Sequence, residues 1–392
     1  MNHSELDEAL QALEPQPLLP PISLAEHSAR VNALQANLRE RGWAAAWLHA
    51  GSNLRYFMGT PWGASERLLG ALVPARGAPC YVAPAFEIDA LRDRWGLPGE
   101  ILSWHEHEDP WIRVLEALGG AAPLALDPSL PWGMVQALQR RAPGLALADA
   151  EAAIRPLRMR KSWAEIALMQ QAFDITLRVQ KAAREVLREG ISTLEVEDFI
   201  QCAHQKMSGH GSTFCIALFG QASSFPHGVK DAQRLKTGDV VLIDTGCPVQ
   251  GYSADLTRSY VFGEARTEVQ RIWAIEKEAQ AAAFAAAQIG TPCEAVDDAA
   301  RAVLAAHGLG PDYQLPGLPH RTGHGIGLDL HEHPYLVRGN QEPLDVGMCC
   351  SNEPMIVVPG SFGIRLEDHF YMTKDGPRWF TQPSASLERP FG

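Results

Sequence analysis

Residues 239–262 read DVVLIDTGCPVQGYSADLTRSYVF, two runs rich in β-branched and aromatic residues joined by a Gly/Pro turn, which is the pattern of a β-hairpin. Asp244 ends the first, apolar run and Asp255 stands in the return run. An aspartate here has two readings. It caps the turn, as most turn aspartates do, or it meets a cation, because an ionised carboxylate inside VVLID or ADLTRSY is expensive to bury without a partner. The hairpin alone leaves both open.

Working outward, the hairpin is preceded by two helix starts. Ser162-Trp-Ala-Glu165 has the form of a capping box and predicts a long helix running to Gly190, and Ser192-Thr-Leu-Glu195 opens a second helix. About a hundred residues later the device returns: Thr267-Glu-Val-Gln270 opens a long helix to Gly290, and Thr291-Pro-Cys-Glu294 another to near Gly308. Strand-like sequence follows each helix pair. This order predicts an α+β domain over residues 158–392, built from two similar halves that bring groups to a central sheet from both sides.

Residues 1–157 have a different texture. AAAWLHA (44–50), LLGALVPA (68–75) and PCYVAPA (79–85) look like buried strands, with EIDALRDRW (87–95) and WIRVLEALGG (111–120) as helices between and after them. That alternation predicts an α/β domain with a largely buried sheet. A helix from Leu24 to Arg41, stopped by Gly42, precedes it. The first thirty residues contain four prolines and are expected to form an arm.

The second half adds HRTGHGIGLDLHEHP (320–334), SNEP (351–354) and FGIRLEDHF (362–370). Glu353 and Glu367 both follow strand-like runs, so two more acids fall at buried positions. With Asp244, Asp255 and His324 they make four carboxylates and one imidazole, an oxygen-rich set suited to Mn²⁺ or Co²⁺, with Zn²⁺ as the alternative, and unlike a thiolate site. His320 and His324 are spaced i, i+4, but no Glu follows His320, so an HExxH zinc motif is missing. His320 and His333 read as outer partners of the site or as loop residues. Arg365 shares the face of Glu367 in a regular strand, where it pairs with a carboxylate or binds substrate. Arg338 reads as a ligand for a substrate carboxylate or as a surface residue.

Two tempting clusters carry less. His105-Glu-His-Glu-Asp109 is polar, abuts Pro110 and fits a solvated loop, while Cys349-Cys350 fits buried packing. The seven cysteines are odd in number and contain no CxxC pair, which argues against a disulfide framework and for a reducing, cytoplasmic setting. No run approaches the ~20 apolar residues of a membrane span, and the acidic start lacks the layout of an export signal. A formal charge of −12 opposes nucleic acid and anionic membranes. A small-molecule substrate is the expected partner.

Taken in order, Asp244, Asp255 eleven residues on, His324 in GHGIG, Glu353 in NEP and Glu367 in RLED resemble the pita-bread metallopeptidases, in the branch of Xaa-Pro dipeptidases (prolidases) and aminopeptidase P. The resemblance covers essentially the whole chain and implies a creatinase-like N-terminal domain before the pita-bread domain. It implies two divalent metal ions per subunit, manganese first and cobalt or zinc as alternatives. Asp244 would hold one, Asp255 and Glu367 would bridge both, and His324 and Glu353 would complete the other, with Glu353 also accepting a proton from the activated water. His227 in SFPHG (224–228) and His331 in GLDLH (327–331) match two family histidines beside the substrate, expected to donate hydrogen bonds to it or to the developing oxyanion.

The implied reaction is cleavage of the peptide bond before proline, in dipeptides first, by a homodimer. Aminopeptidase P, acting on longer peptides, shares every motif quoted. A creatinase-like amidinohydrolase is disfavoured by the complete ligand set, and a non-catalytic binding relative by the lack of lost ligands or a basic patch. The chain departs from the family once. EPGxY here reads Glu353-Pro-Met-Ile-Val357, so Met355 replaces a glycine and Val357 a tyrosine whose hydroxyl is expected near the metals.

Overall fold

The computed structural model describes residues 3–391. It divides into two compact units, Pro21–Arg158 on one side and, on the other, the residues up to Pro20 together with the chain from Met159 onward.

In the Pro21–Arg158 unit, helix Leu24–Glu40 begins where the Ser23 side chain accepts from Glu26 N, and Gly42 follows with φ +68°. The three expected strands form as Ala45–His49, Gly70–Pro74 and Cys80–Pro84. They belong to a six-stranded mixed sheet in which Ala45–His49 runs antiparallel to Gly70–Pro74 and parallel to Leu124–Leu126. All five residues of Ala45–His49 are buried, as an apolar run without alternation requires when both faces of a sheet are covered. Trp47, Leu72, Val82, Trp104, Trp111 and Leu138 pack into one core. The expected helices appear at Ile88–Arg94 and Trp111–Leu118.

The opening segment corrects the expectation of an arm. His3–Ala12 is a helix, while residues 1 and 2 lie outside the described part. Leu6, Leu10 and Leu13 fall at i, i+4, i+7, a stripe that the nearby prolines obscured. Lys206 Nζ donates to Leu10 O at 2.7 Å and Gln11 O at 3.0 Å, placing a cation at the carbonyl end of this helix. Gln171 then ties down Pro17 O and Leu19 N. Residues 3–20 therefore pack on the unit that begins at Met159, not with Pro21–Arg158.

That unit repeats itself. Helices Trp163–Glu185 and Thr193–Ser208 precede a three-stranded sheet, and helices Thr267–Ala286 and Cys293–Ala306 precede a five-stranded one. The turn after each long helix is built alike: Gly190 N donates to Leu235 O and Leu235 N to Ile191 O, while Gly290 N donates to Leu344 O and Leu344 N to Thr291 O. Gly190 and Gly290 have φ of +83° and +82°, the left-handed conformation that favours glycine. The long helices stop short of these glycines, at Glu185 and Ala286, not at Gly190 and Gly290 as expected.

The capping boxes divide by half. Those of Ser162/Glu165 and Ser192/Glu195 are fully reciprocal. Those of Thr267 and Thr291 do not form, because the N-caps are Arg266 and Pro292. At Cys293 the open helix end is satisfied from elsewhere in the fold: Cys293 N donates to Glu342 O and Glu294 N to Asn340 O, both at 2.9 Å.

The hairpin is as expected, with Val240–Gly246 antiparallel to Leu256–Val261 and Asp244 opposite Thr257. Gly246 is required by crowding, since a Cβ there would lie 1.8 Å from Ala254 O. Gln180 on the first long helix donates to Ile243 O and Leu256 O, the carbonyls beside Asp244 and Asp255. Gln280 on the second donates to Leu366 O and Asp368 Oδ2, on either side of Glu367. Each half thus uses one buried glutamine to fix the backbone that carries its acids.

Candidate metal centre

Asp244 lies within strand Val240–Gly246, whose every residue is buried and which runs two residues beyond it, and Asp255 lies just before its return partner. Glu367 enters from the other half, its backbone held by Arg258 Nη1 on Glu367 O at 2.8 Å and by Glu367 N on Thr257 O at 3.1 Å. His324 sits in the short strand Gly323–Gly325, and Glu353 follows strand Cys349–Asn352. Ser351 Oγ links these two, accepting from His324 N at 2.8 Å and donating to Glu353 Oε1 at 3.1 Å. All five line a cavity of about 540 Å³ together with Phe214, Ile216, His227, His320, Arg321, Leu330, His331 and Arg365.

Protein donors hold one oxygen of several of these acids and leave the other bare. Arg365 Nη2 takes Asp244 Oδ2, and Thr257 Oγ1 donates to Glu367 Oε2 at 2.7 Å while accepting from Arg365 Nε at 3.0 Å. Asp244 Oδ1, Asp255 Oδ1 and Glu367 Oε1 are buried without a hydrogen-bond partner. His324 Nδ1 faces Gly325 O at 3.0 Å; a carbonyl only accepts, so Nδ1 carries the proton and donates. His324 Nε2 lies 3.0 Å from Glu353 Oε1 and 3.8 Å from Asp255 Oδ2, without hydrogen-bond alignment.

Burial, reinforced by the neighbouring carboxylates, pushes Asp255 and Glu367 well above the ordinary carboxylate range. Burial acts on Glu353 in the same sense, but contact with His324 and the charges of His320 and Arg365 outweigh it and hold this acid low. Four acids converging on so few cations form a set that fits divalent metal, whose charge would reverse the upward shifts. The bare oxygens and the oriented imidazole are the donors that such ions take.

His227, His331 and Arg365 come to the cavity as expected, and so does His320, whose buried Nε2 is unpartnered. Burial and then the adjacent His324 draw His331 down to about 4, so it is neutral near pH 7. Arg338 is a correction: it does not line this cavity, and its half-exposed guanidinium pairs with Asp312. Val357 is buried in the hydrophobic core and does not line the cavity either. His105–Asp109 forms a turn closed by His105 N on Glu108 Oε2 at 2.7 Å, and Cys349 and Cys350 are buried free thiols.

Sequence reading missed Thr257, Ser351, Arg321 and His369. Arg321 lines the cavity with its guanidinium 4.3 Å from the Tyr335 ring centroid and no acidic partner among the described residues. For His369 a signal existed, since it follows Glu367 by two residues and so shares its face in a strand.

This chain belongs to metallopeptidase family M24, whose profile matches residues 167–374, with the creatinase/prolidase N-terminal domain matching residues 30–160. The fold is accordingly a creatinase-type N-terminal domain followed by a pita-bread catalytic domain. A putative dipeptidase YkvY of Bacillus subtilis is 32% identical over 91% of this chain and 99% of its own length. An Xaa-Pro dipeptidase of Pyrococcus horikoshii is 30% identical over 81% of this chain and 87% of its own. The crystal structure of dipeptidase PepE from Mycobacterium ulcerans superimposes with a TM-score of 0.87 at 33% identity, covering 94% of this chain and 99% of that one. No helix among the described residues is long and apolar enough to cross a membrane.

Proposed function

We propose that this metallopeptidase is an Xaa-Pro dipeptidase, with Asp244, Asp255, His324, Glu353 and Glu367 holding two divalent cations, manganese first and cobalt or zinc as alternatives. The observation that carries it is the bare, buried oxygens of Asp244, Asp255 and Glu367 beside the oriented His324 at a substrate-sized cavity. The relatives named dipeptidase and Xaa-Pro dipeptidase add support. When bound, the cations supply Lewis-acid polarisation of the scissile carbonyl and a water acidic enough to attack near neutral pH.

The side chains do the rest. Glu353, with Oε1 held by Ser351, receives the proton at its other oxygen and returns it to the departing imide nitrogen of proline. His227 and His331 donate N–H groups to the oxygen that becomes negative. Phe214, Ile216 and Leu330 offer an apolar wall for the proline ring, and Arg321, which lines the cavity where Arg338 does not, takes the terminal carboxylate of a dipeptide. Arg365 pairs with Asp244 and positions it. A cytoplasmic homodimer is part of this reading: seven free cysteines support the compartment, and family likeness alone supports the dimer.

The test is hydrolysis of Xaa-Pro and Xaa-Pro-Xaa peptides by protein reconstituted with Mn²⁺, Co²⁺ or Zn²⁺, with Arg321→Met alongside. Dipeptide cleavage is expected to dominate, and Arg321→Met to raise the dipeptide KM about 10- to 100-fold, the worth of a charge-assisted pair. Comparable cleavage of the longer peptide by the unaltered protein moves the activity to aminopeptidase P. No cleavage of either peptide sinks the proposal.

A further inference from the structure

We propose that His369 is a metal ligand, joining Asp255, His324 and Glu367 around one of the two cations; the inference rests on the two-metal reading above. One donor atom from each of these four buried residues lies within 4.8 Å of the others, and they form the one such group found among the described residues. His369 Nε2 is 4.0 Å from the bare Glu367 Oε1, and its ring centroid is 5.8 Å from that of His324.

The sheet explains the placement. Strand Asp368–Thr373 begins immediately after Glu367, and alternation returns His369 to the Glu367 face while sending Asp368 to Arg258, with Arg258 Nη2 on Asp368 Oδ1 at 2.7 Å. His369 stands directly opposite Ser351 in the register with Cys349–Asn352. Directly opposed residues share a face, and Ser351 is the residue that bonds both His324 N and Glu353. The strand pair that organises two expected ligands thus points His369 at the same place.

A structural role alone accounts poorly for its surroundings. Both ring nitrogens are buried without a hydrogen-bond partner; the ring approaches the Asp255 backbone but stops short of full hydrogen-bond geometry. Phe173 packs against it at 5.0 Å between centroids and offers no acceptor in the ring plane. Buried polar groups are seldom left so. Orphaned nitrogens are not sufficient, because His49 in the Pro21–Arg158 unit has them too. What separates His369 is three further ligand-type residues in reach.

The chemistry is consistent. The four expected carboxylates already match the charge of two dications, so a neutral imidazole adds a donor without adding charge. His369 is fully buried and does not line the cavity, so it reaches the group from within the protein and leaves the cavity side to substrate. Two imidazoles at one position and only oxygens at the other make the cations unequal, the first favouring cobalt or zinc over manganese.

X-ray absorption on the full-length protein loaded with two equivalents of Co²⁺ or Zn²⁺ counts imidazoles, and chelator competition measures each affinity. Two imidazoles shared by the two ions are expected in the unaltered protein and one in His369→Gln, with one equivalent bound about 10- to 100-fold more weakly. A single imidazole in the unaltered protein overturns the proposal, and that measurement needs no variant to fold. An unchanged count in His369→Gln also overturns it; weaker binding in that case makes His369 a hydrogen-bond partner of Glu367. Failure of the unaltered protein to bind any divalent cation removes the two-metal reading instead, before His369 is in question.

Discussion

Thr257 carries one hydroxyl that donates to Glu367 Oε2 and accepts from Arg365 Nε, so it fixes the Glu367 carboxylate and the arginine that holds Asp244. Thr257→Val keeps the shape and removes both bonds. Cation affinity is expected to fall about 10- to 100-fold by calorimetric titration with Mn²⁺; an unchanged affinity would mean that the backbone grip on Glu367 suffices. His204 offers a test far from chemistry. Burial pulls it down to about 3, with Nδ1 on Ser212 Oγ at 2.8 Å. An unfolded histidine titrates near ~6.5, so below that pH the unfolded chain binds a proton the fold refuses. Stability is full above ~6.5 and falls by about 1.4 kcal/mol per pH unit as pH drops toward the folded value. His204→Gln should flatten that slope in urea midpoints compared at about pH 7 and about pH 5. The convergence of Asp244, Asp255, Glu353 and Glu367 was legible because acids in or beside apolar strands are costly without a cation, and His324 joined them through the order of the motifs. Arg321 and Thr257 were not, since only the fold decides which arginine or hydroxyl faces the cavity.

The same division holds among the elements. The first-half capping boxes were legible because the whole motif lies within four residues, Ser192 and Glu195 exchanging bonds with each other's backbone. In the second half the identical-looking Thr291-Pro-Cys-Glu294 yields to carbonyls of residues 340 and 342, contacts that no local pattern announces. The helix His3–Ala12 was missed for a related reason, its partners lying on helix Thr193–Ser208 nearly two hundred residues away. Ser192→Ala should therefore destabilise the protein by about 1 kcal/mol, the usual worth of a formed cap, and Thr267→Ala by less than about 0.5 kcal/mol. Denaturant midpoints of the two variants, measured side by side with the metals present, check the contrast; equal losses would show that the Thr267 hydroxyl does cap its helix.

At the scale of the molecule, each half contributes acids to one point, and the assembly they reach is electrostatically poor without cations. Asp244, Asp255 and Glu367 are buried and Glu353 nearly so, and among the described residues Arg365 is the guanidinium that pairs with one of these carboxylates. A fold that tolerates such repulsion is held by the rest of its core, while the site itself is a local weakness that metal repairs. Asp255→Asn separates these effects, because it preserves shape, removes one of the crowded charges and weakens one of the proposed metal ligands. In chelator it is expected to be more stable than the unaltered protein by about 1–3 kcal/mol, the scale of a relieved buried charge. With Mn²⁺ the order should reverse, since the unaltered protein gains about 1.4 kcal/mol for each tenfold excess of ion over its Kd and the variant gains far less. Hydrogen exchange locates the change. Stripping the metal should lower amide protection in Val240–Gly246, Leu256–Val261, Cys349–Asn352 and Asp368–Thr373, and leave the Ala45–His49 sheet as it was. Were Asp255→Asn less stable than the unaltered protein both with and without metal, Asp255 would be a structural acid, and the convergence of the two halves would have another purpose.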